Sequence, residues 1–367
     1  MYIRKIFPKN KGLKFILKFQ EVMKPGDVIL TAQSTTASYG IRKMTKSDFS
    51  HAILYVGNSF MHSDLDGVHS GNPQRLLFDS PNHVKVLRLK KKFVNHSTIE
   101  KICLYARSEN GKQYSKIDAA KSITSPDGRK IKNRQFCSRL VAQSFEFAGI
   151  KIVNDPNYCT PHEISISDFF EEVIGVVRLA ETEEINFASS RSPIDIQKDI
   201  TNKLLKEIRT LTGQDIQTLN DIDNYLILNQ RFDTSLNEIL IKSGYLELWK
   251  IDYEKNPWRY DGNIFLTFKN ENELIKLKKR PGEQDLDYHD LRKAMAIGER
   301  NLFSGDTTST NQALQFQHLS YAYKEYYHQY DLKYFLTLYK LYELLLENCE
   351  KRIDAADYVL RHYGVID

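Results

Sequence analysis

The most constraining feature of this chain is a cysteine placed where an irregular, basic stretch gives way to a helix. The segment reads Arg134-Gln135-Phe136-Cys137-Ser138-Arg139-Leu140-Val141-Ala142-Gln143-Ser144-Phe145. From Cys137 onward, Leu140, Val141, Ser144, Phe145 and Ala148 fall on one stripe at helical spacing, and Gly149 ends it. The pattern predicts a helix over 136–148 with one buried face. A cysteine in its first turn feels the positive end of the helix dipole, which favours the thiolate, the nucleophilic form.

Upstream lies Ser50-His51-Ala52-Ile53-Leu54-Tyr55-Val56-Gly57-Asn58-Ser59-Phe60-Met61-His62-Ser63-Asp64, which reads as a β-hairpin. Gly57-Asn58 suits a two-residue turn. With that turn, Val56 faces Ser59, Ile53 faces His62 and His51 faces Asp64. Side chains alternate across a strand, so His51, His62 and Asp64 share one face. His62 is diagonal to His51 and Asp64 is directly opposite it, so either could accept the second imidazole proton of His51. A loop one residue longer would put both on the wrong face.

A thiolate at a helix start and a histidine on a strand are the parts of a papain-like active site. The order here, histidine strand before cysteine helix, resembles the circularly permuted branch of the NlpC-type papain-like cysteine hydrolases. That branch includes the YiiX-like bacterial proteins and the lecithin:retinol acyltransferase group. Pro25-Gly26-Asp27-Val28-Ile29-Leu30 resembles its opening strand, Ser50 to Gly57 its histidine strand, Phe136 to Val141 its nucleophile helix, and Thr160-Pro161-His162-Glu163-Ile164 the segment that follows. The resemblance covers roughly residues 20–180. It implies an α+β fold with an antiparallel sheet and a nucleophile helix, Cys137 as nucleophile, His51 as base and His62 as the residue that orients it. Asp64 stays open as an alternative third member. Where YiiX-like members often carry a carboxylate, this chain has His62, as the acyltransferase group has a second histidine. Gln33, Ser34 and Thr35 are weaker candidates to line the cleft. The backbone N–H of Cys137 is a better oxyanion donor, because helix-start amides have no internal partner. Tyr114, His162, Cys103 and Cys159 read as structural.

At 367 residues the chain has room for two domains. The expected organisation is a basic N-terminal segment over 1–19, the papain-like domain over 20–180 and a mainly helical domain over 195–367. Glu181 to Pro193 is polar, and within it Ala188 to Pro193 reads as the linker. In the second half, Ile264-Phe265-Leu266-Thr267-Phe268 suggests a short strand or irregular insert, and residues 331–350 and 352–362 two further helices. The net charge of +5 is mild but uneven: residues 1–20 hold six Lys or Arg and no acid. Two more basic clusters centre on Lys85-Lys92 and Arg129-Arg134. These read as solvated surface or as contact with anionic lipid headgroups or an acidic substrate. The apolar run Leu13 to Phe19 is broken by Lys14 and Lys18, so it packs on the domain or forms a short amphipathic helix on a membrane surface, not a signal-peptide core. Nothing resembles a nucleic-acid motif.

The four cysteines show no paired or metal-ligand spacing, so neither disulfides nor a metal or other cofactor is expected, and the cytoplasm or another reducing compartment is the expected location. Three functions follow from these residues. The first is a thiol hydrolase of amide bonds in peptides or acylated small molecules. The second is a lipid acyl hydrolase or acyltransferase with a Cys-His-His triad. The third is a non-catalytic binding protein on the same fold.

Overall fold

Period-two alternation of apolar residues builds two cores, one on each face of a six-stranded antiparallel sheet. The computed structural model describes residues 13–32, 39, 42–43, 47–95, 97–115, 134–267, 288–304 and 311–367. The strands are β1 (Phe15–Leu17), β2 (Val28–Thr31), β3 (His51–Tyr55), β4 (Phe60–Asp64), β5 (Gly67–Gly71), β6 (Val84–Leu89), β7 (Phe170–Glu172) and β8 (Val177–Leu179). The main sheet runs β5-β4-β3-β2-β6-β7, and β1 pairs with β8 in a separate ribbon. Strand β2 lies at the centre with both faces covered, so it is apolar throughout and buried at all four positions.

On one face Val28, Leu30, Ala52, Leu54, Leu87 and Leu89 form a core with two helices. After the short α1 (Phe19–Val22), these are α2 (Thr98–Ser108) and α3 (Cys137–Phe147). They contribute Ile102, Cys103 and Ala106, and Leu140, Val141 and Phe145. On the other face Ile29, Ile53, Val84 and Val86 pack against Ile16, Leu17 and Phe19. The apolar run near the N-terminus is therefore largely strand β1, with Phe19 opening α1, and it packs on the domain instead of forming one amphipathic helix. Beside this core, buried Asp27 accepts from Arg88 Nε at 2.8 Å and Nη2 at 2.7 Å. One member of the basic cluster is thus a structural counterion and not surface charge. After α3 comes α4 (Pro161–Ser165), started by a Thr160–Glu163 capping box.

The remainder is helical: α5 (Thr182–Ser189), α6 (Pro193–Thr212), α7 (Leu219–Leu228), α8 (Asp233–Lys242), α9 (Lys250–Lys255), α10 (Gly262–Thr267), α11 (Tyr288–Asn301), α12 (Gln312–Tyr330) and α13 (Lys333–His362). Three readings need correction. The linker expected over Ala188 to Pro193 is shorter, because Glu181–Glu184 and Ser192–Asp195 capping boxes start α5 and α6 and leave only Ser190 to Ser192 between them. Ile264 to Thr267 is helix, not strand. Asp261 Oδ1 accepts from the N–H groups of Asn263 and Ile264, and Phe265 is buried in a cluster with Trp258 and Val359. Phe268 lies outside the described residues. The two expected C-terminal helices are one 30-residue helix. Its first half packs Tyr334, Phe335 and Leu338 with Leu204, Leu205 and Ile208 of α6, and its last turns pack on Trp258 and Phe265. Among the described residues, no helix is long and apolar enough to cross a membrane.

Removing one partner of a buried ion pair leaves an uncompensated charge. Arg88→Met is expected to destabilise the protein by about 3 kcal/mol in urea unfolding. Loss below about 0.5 kcal/mol would show that the pair is not holding β2 to β6.

Candidate active site

The site is assembled where the start of α3 meets the start of β3. Strands β3 and β4 pair with Leu54 opposite Met61 and Tyr55 opposite Phe60, and the Val56 N–H bonds the Ser59 carbonyl. This is the register of a turn at Gly57-Asn58, and Gly57 takes φ +107° there. The register places His51 and His62 diagonally, with His51 Nε2 3.0 Å from His62 Nδ1. His51 also hydrogen-bonds Cys137. Since its Nε2 is engaged by His62, Nδ1 is the nitrogen left for sulfur. Asp64 lies behind His62: its Oδ2 is 4.0 Å from His62 Nε2, and its Oδ1 is 3.1 Å from His69 Nε2. Gln33, Ser34 and Thr35 lie outside the described residues.

Helix α3 has no side-chain N-cap. Its first amides are therefore left for the sulfur, and the Ser138 N–H donates to it, as does that of Ala52. Only 8% of Cys137 is exposed. Burial opposes the thiolate, but the charge of His51, its hydrogen bond and the two amides outweigh burial and bring the pKa below the ordinary thiol value. Burial likewise opposes the imidazolium of His51, yet the Cys137 charge and hydrogen bond, with a contribution from Asp64, raise its pKa. The two shifts reinforce a thiolate–imidazolium pair. His62 goes the other way: burial and then the charge of His51 hold it well below the usual histidine value, so it stays neutral and can accept from His51. Burial favours the acid form of Asp64, but the His69 hydrogen bond, with that of the Asp66 N–H, holds it well below the usual carboxylate range.

Several supports were not legible as such in the sequence. The helix start is pinned to the 157–159 segment: Ser138 Oγ donates to the Cys159 carbonyl at 2.7 Å, and Arg139 Nε to the Asn157 carbonyl at 2.7 Å. The Arg139 guanidinium lies over the Phe136 ring, 4.5 Å from its centroid. Gln135 Nε2 donates to Glu109 Oε2 and to Gln143 Oε1, each at 2.7 Å. Tyr114, read as structural, bridges to Gln135 and sits in the field of the site: burial, then the Cys137 and Asp64 charges, raise its pKa and keep its hydroxyl protonated. His69 could have been found by counting across a second turn, because Asp64 pairs with Gly67 and His62 with His69. His62, Asp64 and His69 each offer a ligand atom within 4.8 Å of the others, so this group could hold a metal ion that the separate spacings in sequence did not suggest.

Burial pushes Cys103 and Cys349 up to about 11 and raises Cys159 further, whereas Cys137 is lowered. At pH 7, iodoacetamide is expected to label Cys137 first in the native protein, with peptide mapping as the readout. The rate should persist below the ordinary thiol pKa of about 8.5 and fall as pH drops through the lowered folded value. His51→Ala should slow labelling at pH 7. Faster labelling of Cys103 would mean that the His51 charge and the two amides do not outweigh burial at Cys137.

Comparison with known proteins bears on the first half of the chain. Residues 22–168 match the family described as permuted papain-like amidase enzymes, YaeF/YiiX, C92. Among solved structures, the metalloprotein YiiX from Escherichia coli O157:H7 is 16% identical, covering 41% of this chain and 96% of its own, with a TM-score of 0.27. No curated protein matches. Over residues 22–168 the chain is therefore similar to the circularly permuted papain-like amidases.

Proposed function

We propose that Cys137 is the nucleophile of a hydrolase that cleaves amide bonds in peptides or acylated small molecules. The observation that carries this reading is the continuous contact from sulfur to His51 to His62, with the imidazole pair at 3.0 Å. The Cys137 thiolate attacks the carbonyl carbon, and the carbonyl π pair moves to oxygen. The Cys137 N–H, at the first position of α3, has no intrahelical acceptor and can bind that oxyanion. His51 gives its Nδ1 proton to the leaving nitrogen as the C–N bond breaks, leaving a thioester on Cys137. Water then loses a proton to His51 and adds to the thioester carbon. Collapse releases the carboxylic acid and restores the thiolate–imidazolium pair. His62 holds His51 through its neutral Nδ1 and exchanges no proton with substrate.

A second reading, a lipid acyl hydrolase or acyltransferase, shares the first half-reaction. The imidazole at the third position favours it. Intact-mass analysis after incubation with acyl amides or with phospholipid vesicles separates the two. A transient adduct discharged by water supports the amidase. A long-chain acyl group retained on Cys137 until an acceptor is added supports acyl transfer. If no acyl donor modifies Cys137, the binding-protein alternative takes over.

Removing His51 is expected to lower turnover by roughly 10²–10⁴-fold, the usual weight of a general base. His62→Ala should lower kcat with residual activity, His62→Asn should be milder because its amide oxygen still accepts, and Cys137→Ala should abolish the adduct. Equal activity of His62→Ala and the parent would remove His62 from the mechanism.

A further inference from the structure

Behind His51, three side chains converge on a point that acyl transfer does not use. His62 and His69 face each other across the β4–β5 ladder, with ring centroids 4.3 Å apart. The His69 Nε2–Asp64 Oδ1 separation is 3.1 Å, and the His62 Nε2–Asp64 Oδ2 separation is 4.0 Å. The two imidazoles are 14% and 12% exposed and Asp64 is 40% exposed, so the group is walled by protein on one side and open to solvent on the other.

Hydrogen-bond accounting leaves this point short of a cation. His69 Nδ1 lies 3.1 Å from the Ser70 carbonyl oxygen, which can only accept, so Nδ1 carries a proton. Nε2 then turns toward a carboxylate that also only accepts. A neutral ring can donate to only one of these two acceptors, whereas a second proton or a metal ion on Nε2 satisfies both. Nδ1 of His62 is occupied by His51, and its Nε2 faces the same carboxylate. Two imidazole nitrogens and one carboxylate oxygen are the donor set of zinc and related transition metals, whereas calcium and magnesium take oxygen. Tetrahedral ligation at about 2.0–2.2 Å puts neighbouring donor atoms about 3.3–3.6 Å apart, and the two separations here, one to each carboxylate oxygen, lie on either side of that range. The Ser70 carbonyl on the outer nitrogen of His69 is the usual second bond of a metal-binding histidine.

We propose that His62, Asp64 and His69 form a binding site for a divalent transition metal such as zinc, and that occupation of this site disables Cys137. The second clause rests on the triad reading above. A metal ion on His62 Nε2 leaves that ring's proton on Nδ1, aimed at His51 Nε2. His51 must then accept there, so its own proton faces sulfur and it cannot take another from the thiol side. With the metal absent, His62 carries its proton on Nε2 and accepts from His51, as the reaction requires. Metal occupancy and the reactive arrangement of His51 exclude each other.

The test uses the full chain, freed of metal by chelator and titrated with zinc and with cobalt(II). One equivalent of zinc is expected to bind, and cobalt should develop the visible absorption of a four-coordinate site. His69→Gln and Asp64→Asn, checked for unchanged circular dichroism, should each weaken binding at least about tenfold. Cys137→Ser should bind as the parent does, since sulfur is not a ligand. Zinc should slow iodoacetamide labelling of Cys137 in the parent, with the ratio of rates with and without zinc returning to near one in His69→Gln. No stoichiometric binding, or binding lost in Cys137→Ser but kept in His69→Gln, overturns the site. Binding without slower labelling overturns the switch. Should Cys137 resist labelling even without metal, the triad reading fails, and stoichiometry and the cobalt spectrum still decide the site.

Discussion

A thiolate in a buried pocket survives only when protein groups replace the water it has lost. That requirement organises this domain around Cys137. Desolvation alone would push the thiol upward, as it does for the other three cysteines. Cys137 differs because a cationic imidazole and two backbone N–H groups converge on its sulfur. Only the Ser138 amide is local in sequence. The amides come from the first turn of α3 and from β3, and the imidazole from the first residue of β3. Holding the helix start against the start of β3 is therefore the condition for the chemistry, and the large core under α3, which includes Ala52 and Leu140, does that.

The same logic explains the polar network around that helix start. A buried Arg139 is expensive unless its donors are used. Here carbonyls of Asn157 and Arg134 accept from it, and the rings of Phe136 and Tyr158 cover its faces. Gln135, two positions before the cysteine, is tied to Glu109, which caps the end of α2, and to Gln143 of α3. These bonds fix the entry angle of the chain into α3, which the missing N-cap side chain would otherwise have to do.

What could be read in advance divides along physical lines. The hairpin register was legible because a two-residue turn and strand alternation leave one pairing, and that pairing is observed. The α3 stripe was legible because it is an amphipathic helix with a glycine stop. The residues near Ile264 were misread because a short apolar run carries no period, and here capping by Asp261 and burial against α13 decide for helix. His69 was overlooked because its meaning depends on a second register count, across Leu65-Asp66, whose pairing partner His62 had already been given a role. The supports from Glu109, Gln143 and Asn157 are contacts across many residues of chain. No spacing rule reports such contacts.

The helical half meets the site at this second turn. Lys198 of α6 pairs with the Asp66 carboxylate at 2.5 Å, and Asn202 Nδ2 donates to the Asp66 carbonyl at 3.1 Å. Just beyond, Gly67 takes φ +99°, and a Cβ there would come within 2.5 Å of the Lys112 carbonyl oxygen. The turn is thus gripped by α6 on one side and by the 111–112 segment on the other, with Val68 N–H bonded to the Lys112 carbonyl at 2.8 Å. A two-residue turn held at both flanks fixes the register of β4 against β5. That register sets where Asp64 and His69 stand relative to His62, and through His62 the orientation of His51. A shift of α6 would act first on Asp66, then on the carboxylate two residues earlier, and only then on the imidazole chain. The helices can therefore influence Cys137 through this β-turn, and also through Gln217, which accepts from the Gln113 N–H at 3.0 Å, and Asp215, which accepts from Arg134 Nη1 at 2.8 Å, three residues before the cysteine.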